Sequence, residues 1–403
     1  MLHLRGRVSP RSHLRGGAKV KKLLTGNSAI TYGVTLCRPQ VISAYPITPQ
    51  TTIVEELSEI CSDGRLQAKF IRVESEHSAM ASAAAACAAG SRVFTATSSH
   101  GLAYMHEMLH WVSGSRLPVV MVNANRALGA PWNIWCDHSD SLSQRDTGWI
   151  QMYCQSAQEA LDTILQAYRL AEEVLLPVMV MVDGFFLSHT SDTVDVPEAK
   201  AVDRFLPPFK PLHKISPDEP HTFNISADPA LFISFKHEAQ KSMEEAKKAA
   251  VRVDREFKAR FGRGYGLLEK YRCQDAEVVF FTMGTAASTA REVIEDFRRQ
   301  GKKVGLCRLR MFRPSPVEEL AKFFAGVKKV AVLDRDNSLG AGGIVAQELK
   351  AALYSAPRKP KIYEFIAGLG GKDITPETIR EVIDKAIKQP NPGSQPVWMG
   401  VQA

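Results

Sequence analysis

The stretch Ala44-Tyr45-Pro46-Ile47-Thr48-Pro49-Gln50-Thr51-Thr52 decides how the rest of the chain is read. Ahead of it, Val41-Ile42-Ser43-Ala44-Tyr45 is short, apolar and turn-bounded, the mark of a buried strand. Pro46 ends that strand. Pro49 suits the first turn of a helix, where its missing N–H costs nothing. Ile53-Val54-Glu55-Glu56-Leu57 then continues as a helix to about Cys61. Thr48 is thereby placed at the carboxyl end of a strand, facing a helix N-terminus. Open α/β sheets bind ligands there, and the partial positive charge favours a carboxylate or phosphate. A turn that simply needs two prolines is the plainer reading, and spacing alone does not choose between them.

Working outward, Thr25-Gly26-Asn27-Ser28 caps a helix over 29–36. A strand is expected over 68–73, followed by Glu74-Ser75-Glu76-His77 and an alanine-rich helix over 78–89, whose small side chains suit close packing. A strand over 92–97 leads to the small turn Ser98-Ser99-His100-Gly101 and a helix through Met108. The apolar strand over 118–122 ends at Asn123-Ala124-Asn125-Arg126, and 127–146 reads as a loop. A helix over 157–170 and a strand over 178–182 complete the unit. Strands alternating with helices imply a parallel, helix-covered sheet.

Proline-rich sequence from Leu206 to Pro220 marks a linker. A charged helix over 237–261 follows, with Glu244, Glu245, Lys247 and Lys248 read as a solvated face. A second α/β unit begins near Asp275. It has strands over 278–282, 304–309, 330–333 and 361–366, and helices over 285–300, over 316–324 and from the Gly340–Gly343 turn to Leu353. That glycine cluster reads as a turn rather than a phosphate cradle. The expected division is a basic tail over 1–22, a first domain over 23–200, linker and charged helix over 201–270, and a second domain over 271–403.

The net charge of +8 over 403 residues invites a nucleic-acid reading, but its location argues against one. Arg5, Arg7, Arg11, Arg15, Lys19, Lys21 and Lys22 lie within the first 22 residues, with no acid among them. Taking those seven from +8 leaves +1 for the rest. The basicity belongs to a tail: a disordered arm, a stretch before the true start, or a targeting segment. No apolar run reaches the ~18 residues of a membrane span. The seven cysteines, Cys37, Cys61, Cys87, Cys136, Cys154, Cys273 and Cys307, are scattered and never form a C-x-x-C pair. Disulfides, zinc and an iron–sulfur cluster held by this chain are therefore not expected, and a reducing cytoplasm is.

Tyr45-Pro46-Ile47-Thr48-Pro49 followed by Val73-Glu74-Ser75-Glu76-His77-Ser78-Ala79 resembles a known family. Thr95-Ala96-Thr97-Ser98-Ser99, Ala124-Asn125-Arg126-Ala127, the run from Asn133 to Asp140, Gln144–Trp149 and Ala367–Asp373 extend the match in order, from about Leu23 to about Lys388. Together they resemble the alpha subunit of 2-oxoacid:ferredoxin oxidoreductases, most closely pyruvate:ferredoxin oxidoreductase. The basic tail departs from the pattern, as does His100, where a Gln is expected. The resemblance implies a thiamine-diphosphate-binding, pyrimidine-type parallel-sheet domain followed by a transketolase C-terminal-like α/β domain. It implies oxidative decarboxylation of pyruvate with coenzyme A, reversibly reducing ferredoxin.

It also implies roles. In thiamine enzymes one protein carboxyl group must face the aminopyrimidine nitrogen, and by the resemblance that is Glu76; Glu74 is the weaker candidate. Without the resemblance, Glu76 reads equally as a first-turn helix acid meeting the dipole. Arg126 would hold the substrate carboxylate in a two-pronged grip, and Thr48 would donate a hydrogen bond to the substrate. An Arg in place of Thr48 would suit a dicarboxylate such as oxalate. Tyr45, Pro46, Ile47, His100 and Asn125 join Glu76 as cofactor contacts. Asp137, His138 and His189 read as loop-fixing or structural residues rather than a catalytic pair.

The chain has no Gly-Asp-Gly, and Val182-Asp183-Gly184-Phe185 lacks a suitable following Asn. It is therefore expected to grip only the pyrimidine end of thiamine diphosphate. A beta subunit would bring the pyrophosphate site, Mg2+ and the nearest 4Fe-4S cluster. Gamma and ferredoxin-like delta subunits would complete a dimer of hetero-oligomers. The alternatives are a subunit acting on a branched-chain or other 2-oxoacid, or a non-catalytic scaffold of the same fold.

Overall fold

A computed structural model describes residues 20–401. The chain opens with β1 (Val20–Thr25), and Thr25 caps α1 (Gly26–Cys37) by accepting the Ser28 N–H at 3.1 Å. Val20, Lys21 and Lys22, expected as part of a disordered arm, are strand residues; the remainder of that arm lies outside the described residues. Next come β2 (Val41–Ala44), α2 (Thr51–Ser62), β3 (Lys69–Arg72), α3 (Glu76–Ala88) and β4 (Val93–Thr97). Pro49 precedes the α2 N-cap Gln50 rather than opening the helix. After β4 the small-residue turn is already helical: α4 (Ser99–Tyr104) is followed by α5 (His106–Gly114). Strand β5 (Val120–Asn125) runs three residues past the expected end. Within the expected loop lie α6 (Ser139–Leu142) and, just after it, the unforeseen β6 (Ile150–Tyr153). Helix α7 (Ala157–Val174) and β7 (Val178–Asp183) follow, then β8 (Ser191–Val196), which pairs antiparallel with β1, and α8 (Ala199–Phe205).

Helix α9 (Pro229–Phe261) starts eight residues earlier than expected, because Asp228 caps it and Pro229 fills its first turn. Its charged face is solvated, but it is not only a solvated helix. Ala246, Ala249, Ala250, Val253, Phe257 and Phe261 are buried in the first unit's core, and Lys247 pairs with Glu318 and Glu319.

The second unit holds β9 (Leu268–Tyr271), β10 (Val278–Thr282), α10 (Ala286–Arg299), β11 (Val304–Leu309), β12 (Met311–Arg313) and α11 (Val317–Phe324). It ends with β13 (Lys329–Asp334), α12 (Ile344–Leu353), β14 (Lys361–Ile366), α13 (Pro376–Lys388) and β15 (Val397–Trp398). Its sheet runs β15-β14-β13-β10-β11-β9, so β14 is not the last strand.

The first sheet runs β12-β6-β7-β5-β4-β2-β3, parallel except for β12. Strands β4, β5 and β7 are buried along their whole length, as a sheet covered by helices on both faces requires. Strand β12 crosses from the second unit to close the edge of the first sheet, so the two units are interlocked rather than joined only by the linker. Buried Arg308 and Arg310 both donate to Glu159 Oε1 at 2.9 Å, fastening β11 and the segment after it to the first turn of α7. In the first sheet the chain steps from β2 to β3 on one side and then to β4 on the other. The crevice above β2 and β4 is therefore the topological switch point, where such sheets take ligands.

Candidate active site

Three strand tips and one helix start meet above that crevice. The β2–α2 loop is held inward by its own residues: Gln50, fully buried, donates from Nε2 to the Tyr45 carbonyl at 2.9 Å, and Asn27 Nδ2 donates to the Pro49 carbonyl at 2.9 Å. Pro46 and Thr48 are left exposed, with Tyr45 and Ile47 half-buried. Among the described residues the Thr48 hydroxyl has no hydrogen-bond partner.

Arg126 follows β5 and is buried. It donates from Nη1 to the Thr48 carbonyl at 2.9 Å and from Nε to the Asn133 carbonyl at 3.1 Å, leaving Nη2 without a partner among the described residues. The Trp132 ring covers the guanidinium, with its centroid 5.6 Å away, and is itself exposed. Burial draws the guanidinium below its ordinary range, opposed by Asp140. Sequence reading placed Arg126 and Thr48 on one rim, and here they touch.

Glu76 is the first residue of α3, buried, with no hydrogen bond or ion pair to any described residue. Its surroundings are tight. A Cβ on Gly101 would fall 2.6 Å from Glu76 Oε1 and 2.6 Å from Thr97 Oγ1, so any side chain there would have to push the carboxyl group and the hydroxyl aside. Thr97 Oγ1 is also buried without a partner. An unpaired carboxyl group on a largely buried residue and a buried, unpaired hydroxyl at the ligand-binding end of the sheet are a set of groups that a nitrogen heterocycle with an exocyclic amine would satisfy. On that test the site fits the pyrimidine half of thiamine diphosphate.

His100 is exposed beside this turn. Its Nε2 accepts the Gly129 N–H at 3.0 Å, which puts the ring hydrogen on Nδ1. Asn125 does not face the crevice. Its side chain is fully buried and donates from Nδ2 to Asp140 Oδ1 at 2.8 Å, while its Oδ1 has no partner among the described residues. Because β5 extends through Asn125, the pleat sends Asn123 and Asn125 to the same side, and Asp140 collects both.

Asp140 itself escaped sequence reading, since its loop has no periodicity. His138, expected as loop-fixing, shares a hydrogen with Asp183: its Nε2 lies 2.8 Å from Oδ1. Asp183 closes β7 and reaches the second unit, accepting from the Thr285 N–H at 3.0 Å and Arg335 Nη1 at 3.2 Å. Burial alone would raise its carboxyl, yet His138 and Arg335 hold it well below the usual range. The His189 ring bonds Ser188 Oγ at 2.8 Å and lies beside the Phe185 ring. The second unit also braces the rim. Asn133, whose carbonyl holds Arg126, donates from Nδ2 to the Gly370 carbonyl at 3.1 Å, and the Gly371 N–H donates to the Cys136 carbonyl at 2.8 Å.

Comparison with known proteins identifies the family and the fold. Residues 32–255 match the family model described as pyruvate flavodoxin/ferredoxin oxidoreductase, thiamine diphosphate-binding, and 276–379 match pyruvate:ferredoxin oxidoreductase core domain II. A pyruvate synthase subunit PorA of Methanothermobacter thermautotrophicus is 47% identical over 385 residues, covering 95% of this chain and 99% of that one. A ketoisovalerate oxidoreductase subunit VorA of Pyrococcus horikoshii is 47% identical over 367 residues, covering 91% and 93%. Among solved structures, a 2-oxoglutarate:ferredoxin oxidoreductase from Magnetococcus marinus superposes with a TM-score of 0.73 at 22% identity, covering 92% of this chain and 66% of that one.

Proposed function

The chain belongs to the family of 2-oxoacid:ferredoxin oxidoreductase alpha subunits, and on that premise we propose that it acts on pyruvate, at a pocket it shares with a partner subunit. It is a subunit of an oxidoreductase. Bound thiamine diphosphate supplies the nucleophilic carbon and the electron sink that a 2-oxoacid needs in order to lose carbon dioxide. The residues of this chain bind and orient.

Glu76 holds a proton against the aminopyrimidine nitrogen. Arg126, anchored by two carbonyls, presents Nη2 to the substrate carboxylate, and Trp132 keeps water from the face of the guanidinium. Thr48, a small neutral residue, contributes its free hydroxyl and fits a monocarboxylate. Tyr45, Pro46, Ile47 and His100 line the cofactor side. The observation that carries this reading is the unpaired Glu76 carboxyl group, on a largely buried residue and packed against Gly101.

With no Gly-Asp-Gly and no cysteine cluster in the chain, the beta subunit brings the pyrophosphate site, Mg2+ and the nearest 4Fe-4S cluster. Gamma and delta subunits carry electrons onward to ferredoxin in the cytoplasm, and coenzyme A accepts the acyl group. Among the described residues no helix is long and apolar enough to cross a membrane. A branched-chain substrate is the second reading, favoured by the equal identity to a VorA subunit.

In the reconstituted complex, Glu76→Gln should lower kcat by about 10²- to 10⁴-fold, the range for a lost proton-transfer group. Near-full activity would leave the chain a scaffold. Comparing pyruvate with 2-oxoisovalerate decides the substrate. The purified chain alone should bind thiamine diphosphate weakly and turn over nothing; robust solo turnover would end the shared-pocket reading.

A further inference from the structure

One carboxylate stands behind both halves of the site. Asp140, on α6, is fully buried. Its Oδ2 accepts from the Ser99 N–H at 2.9 Å, Asn123 Nδ2 at 2.9 Å and the Arg126 N–H at 3.1 Å. Its Oδ1 accepts from Asn125 Nδ2 at 2.8 Å and the Ser141 N–H at 2.7 Å. A carboxylate offers about four lone-pair sites, so five N–H donors saturate it.

Two of those donors matter beyond the loop. Ser99 starts α4 with a φ of +50°, and two residues on, Gly101 lies against Glu76. Arg126 carries the guanidinium on the opposite side of the crevice. The Ser99 turn and the Arg126 segment come from neighbouring strand tips, and Ser98 Oγ and Ser99 Oγ already donate to the Ala124 and Ala127 carbonyls at 2.7 and 2.6 Å; Asp140 Oδ2 adds the bridge between the Ser99 and Arg126 N–H groups themselves. We propose that Asp140 is a positioning residue that sets the spacing between Glu76 and the Arg126 guanidinium, acting through the backbone N–H groups of Ser99 and Arg126. This rests on the reading of Glu76 and Arg126 given above. An amide cannot replace the carboxylate, because its NH₂ group would face N–H donors that need an acceptor.

The test uses the reconstituted complex carrying Asp140→Asn, Arg126→Gln, or both. Pyruvate KM is measured by turnover, or its Kd by calorimetry where turnover is too slow, and thiamine diphosphate Kd by calorimetry. Asp140→Asn should raise pyruvate KM about tenfold and weaken the cofactor several-fold, as lost charge-assisted hydrogen bonds do. On top of Arg126→Gln it should add nothing to pyruvate KM while still weakening the cofactor. A KM penalty of the same factor in both backgrounds, or an unchanged cofactor Kd, overturns the proposal. If Arg126→Gln alone leaves KM unchanged, the reading of Arg126 falls first, and the substrate half of this inference with it. Should the Asp140→Asn complex fail to assemble, Asn123→Ala removes one donor and keeps the carboxylate. It should give the same pattern at smaller size, and a purely additive result with it is equally fatal.

Discussion

The Nη1 atom of Arg126 donates to the carbonyl oxygen of Thr48 at 2.9 Å, joining the tip of β5 to the loop after β2. With Nε on the Asn133 carbonyl, the plane of the guanidinium is fixed before any substrate arrives. A lysine keeps the charge but lacks the rigid planar fork that holds both carbonyls while Nη2 faces the substrate. Arg126→Lys should therefore raise pyruvate KM by about 10- to 100-fold, the worth of one or two hydrogen bonds to a charged group. Steady-state kinetics of the assembled enzyme checks this, and an unchanged KM would show that a point charge suffices.

Gly101 offers a second probe. A methyl group there would press on Glu76 Oε1 and Thr97 Oγ1, each 2.6 Å from the ideal Cβ. Gly101→Ala should displace the carboxylate and weaken thiamine diphosphate binding at least tenfold, as a shift of about 1.4 kcal/mol does, while the subunits still assemble. Calorimetry for affinity and size-exclusion chromatography for assembly separate the two.

Asp183 joins the units. Asp183→Asn removes the counter-charge of buried Arg335 and weakens the bond to His138. Breaking one side of a buried ion pair costs about 3–5 kcal/mol, so the melting temperature of the purified chain should fall by several degrees. A melting curve that does not move would mean that water already screens the pair.

Asp334 predicts a pH slope. Burial pushes its carboxyl up to about 8, even though the Val345 and Ala346 N–H groups bind it. Between its ordinary value of 3.8 and about 8 the folded state holds a proton that the unfolded state releases. Stability must then fall as pH rises through that window, by at most about 1.4 kcal/mol per pH unit. Asp334→Asn should flatten the decline between pH 6 and 8. Thermal melts of both proteins at three pH values check it, and parallel slopes would refute it.

What the sequence disclosed follows its physics. Strands β4, β5 and β7 are buried on both faces, so their apolar runs announce them. Strands β1 and β8 carry lysine and aspartate among their apolar residues, and the first three residues of β1 read as part of the basic tail. Strand β12 is three residues long and exists because β6 offers an edge, which no local pattern records. Helix α13 did carry its signal, Thr375-Pro376-Glu377, which had gone unread. At the site, Glu76, Arg126 and Thr48 stand in sequence runs that the family resemblance singles out, each in the segment that follows a strand. The apolar run stops at Val122 while β5 continues to Asn125, so the burial of Asn123 and Asn125 on one side of the pleat has no local signal. Asp140 acts on residues as far as 41 positions away, beyond the reach of any motif.

The carboxylate of Asp183 lies between the tips of β10 and β13, where the second sheet reverses its strand order. In a free-standing sheet of this kind that berth receives a diffusing molecule. Here its occupant is tethered, and a tethered group meets its binding site at an effective concentration of about millimolar or higher. A solute would have to outcompete part of the same polypeptide, so the berth has become a joint.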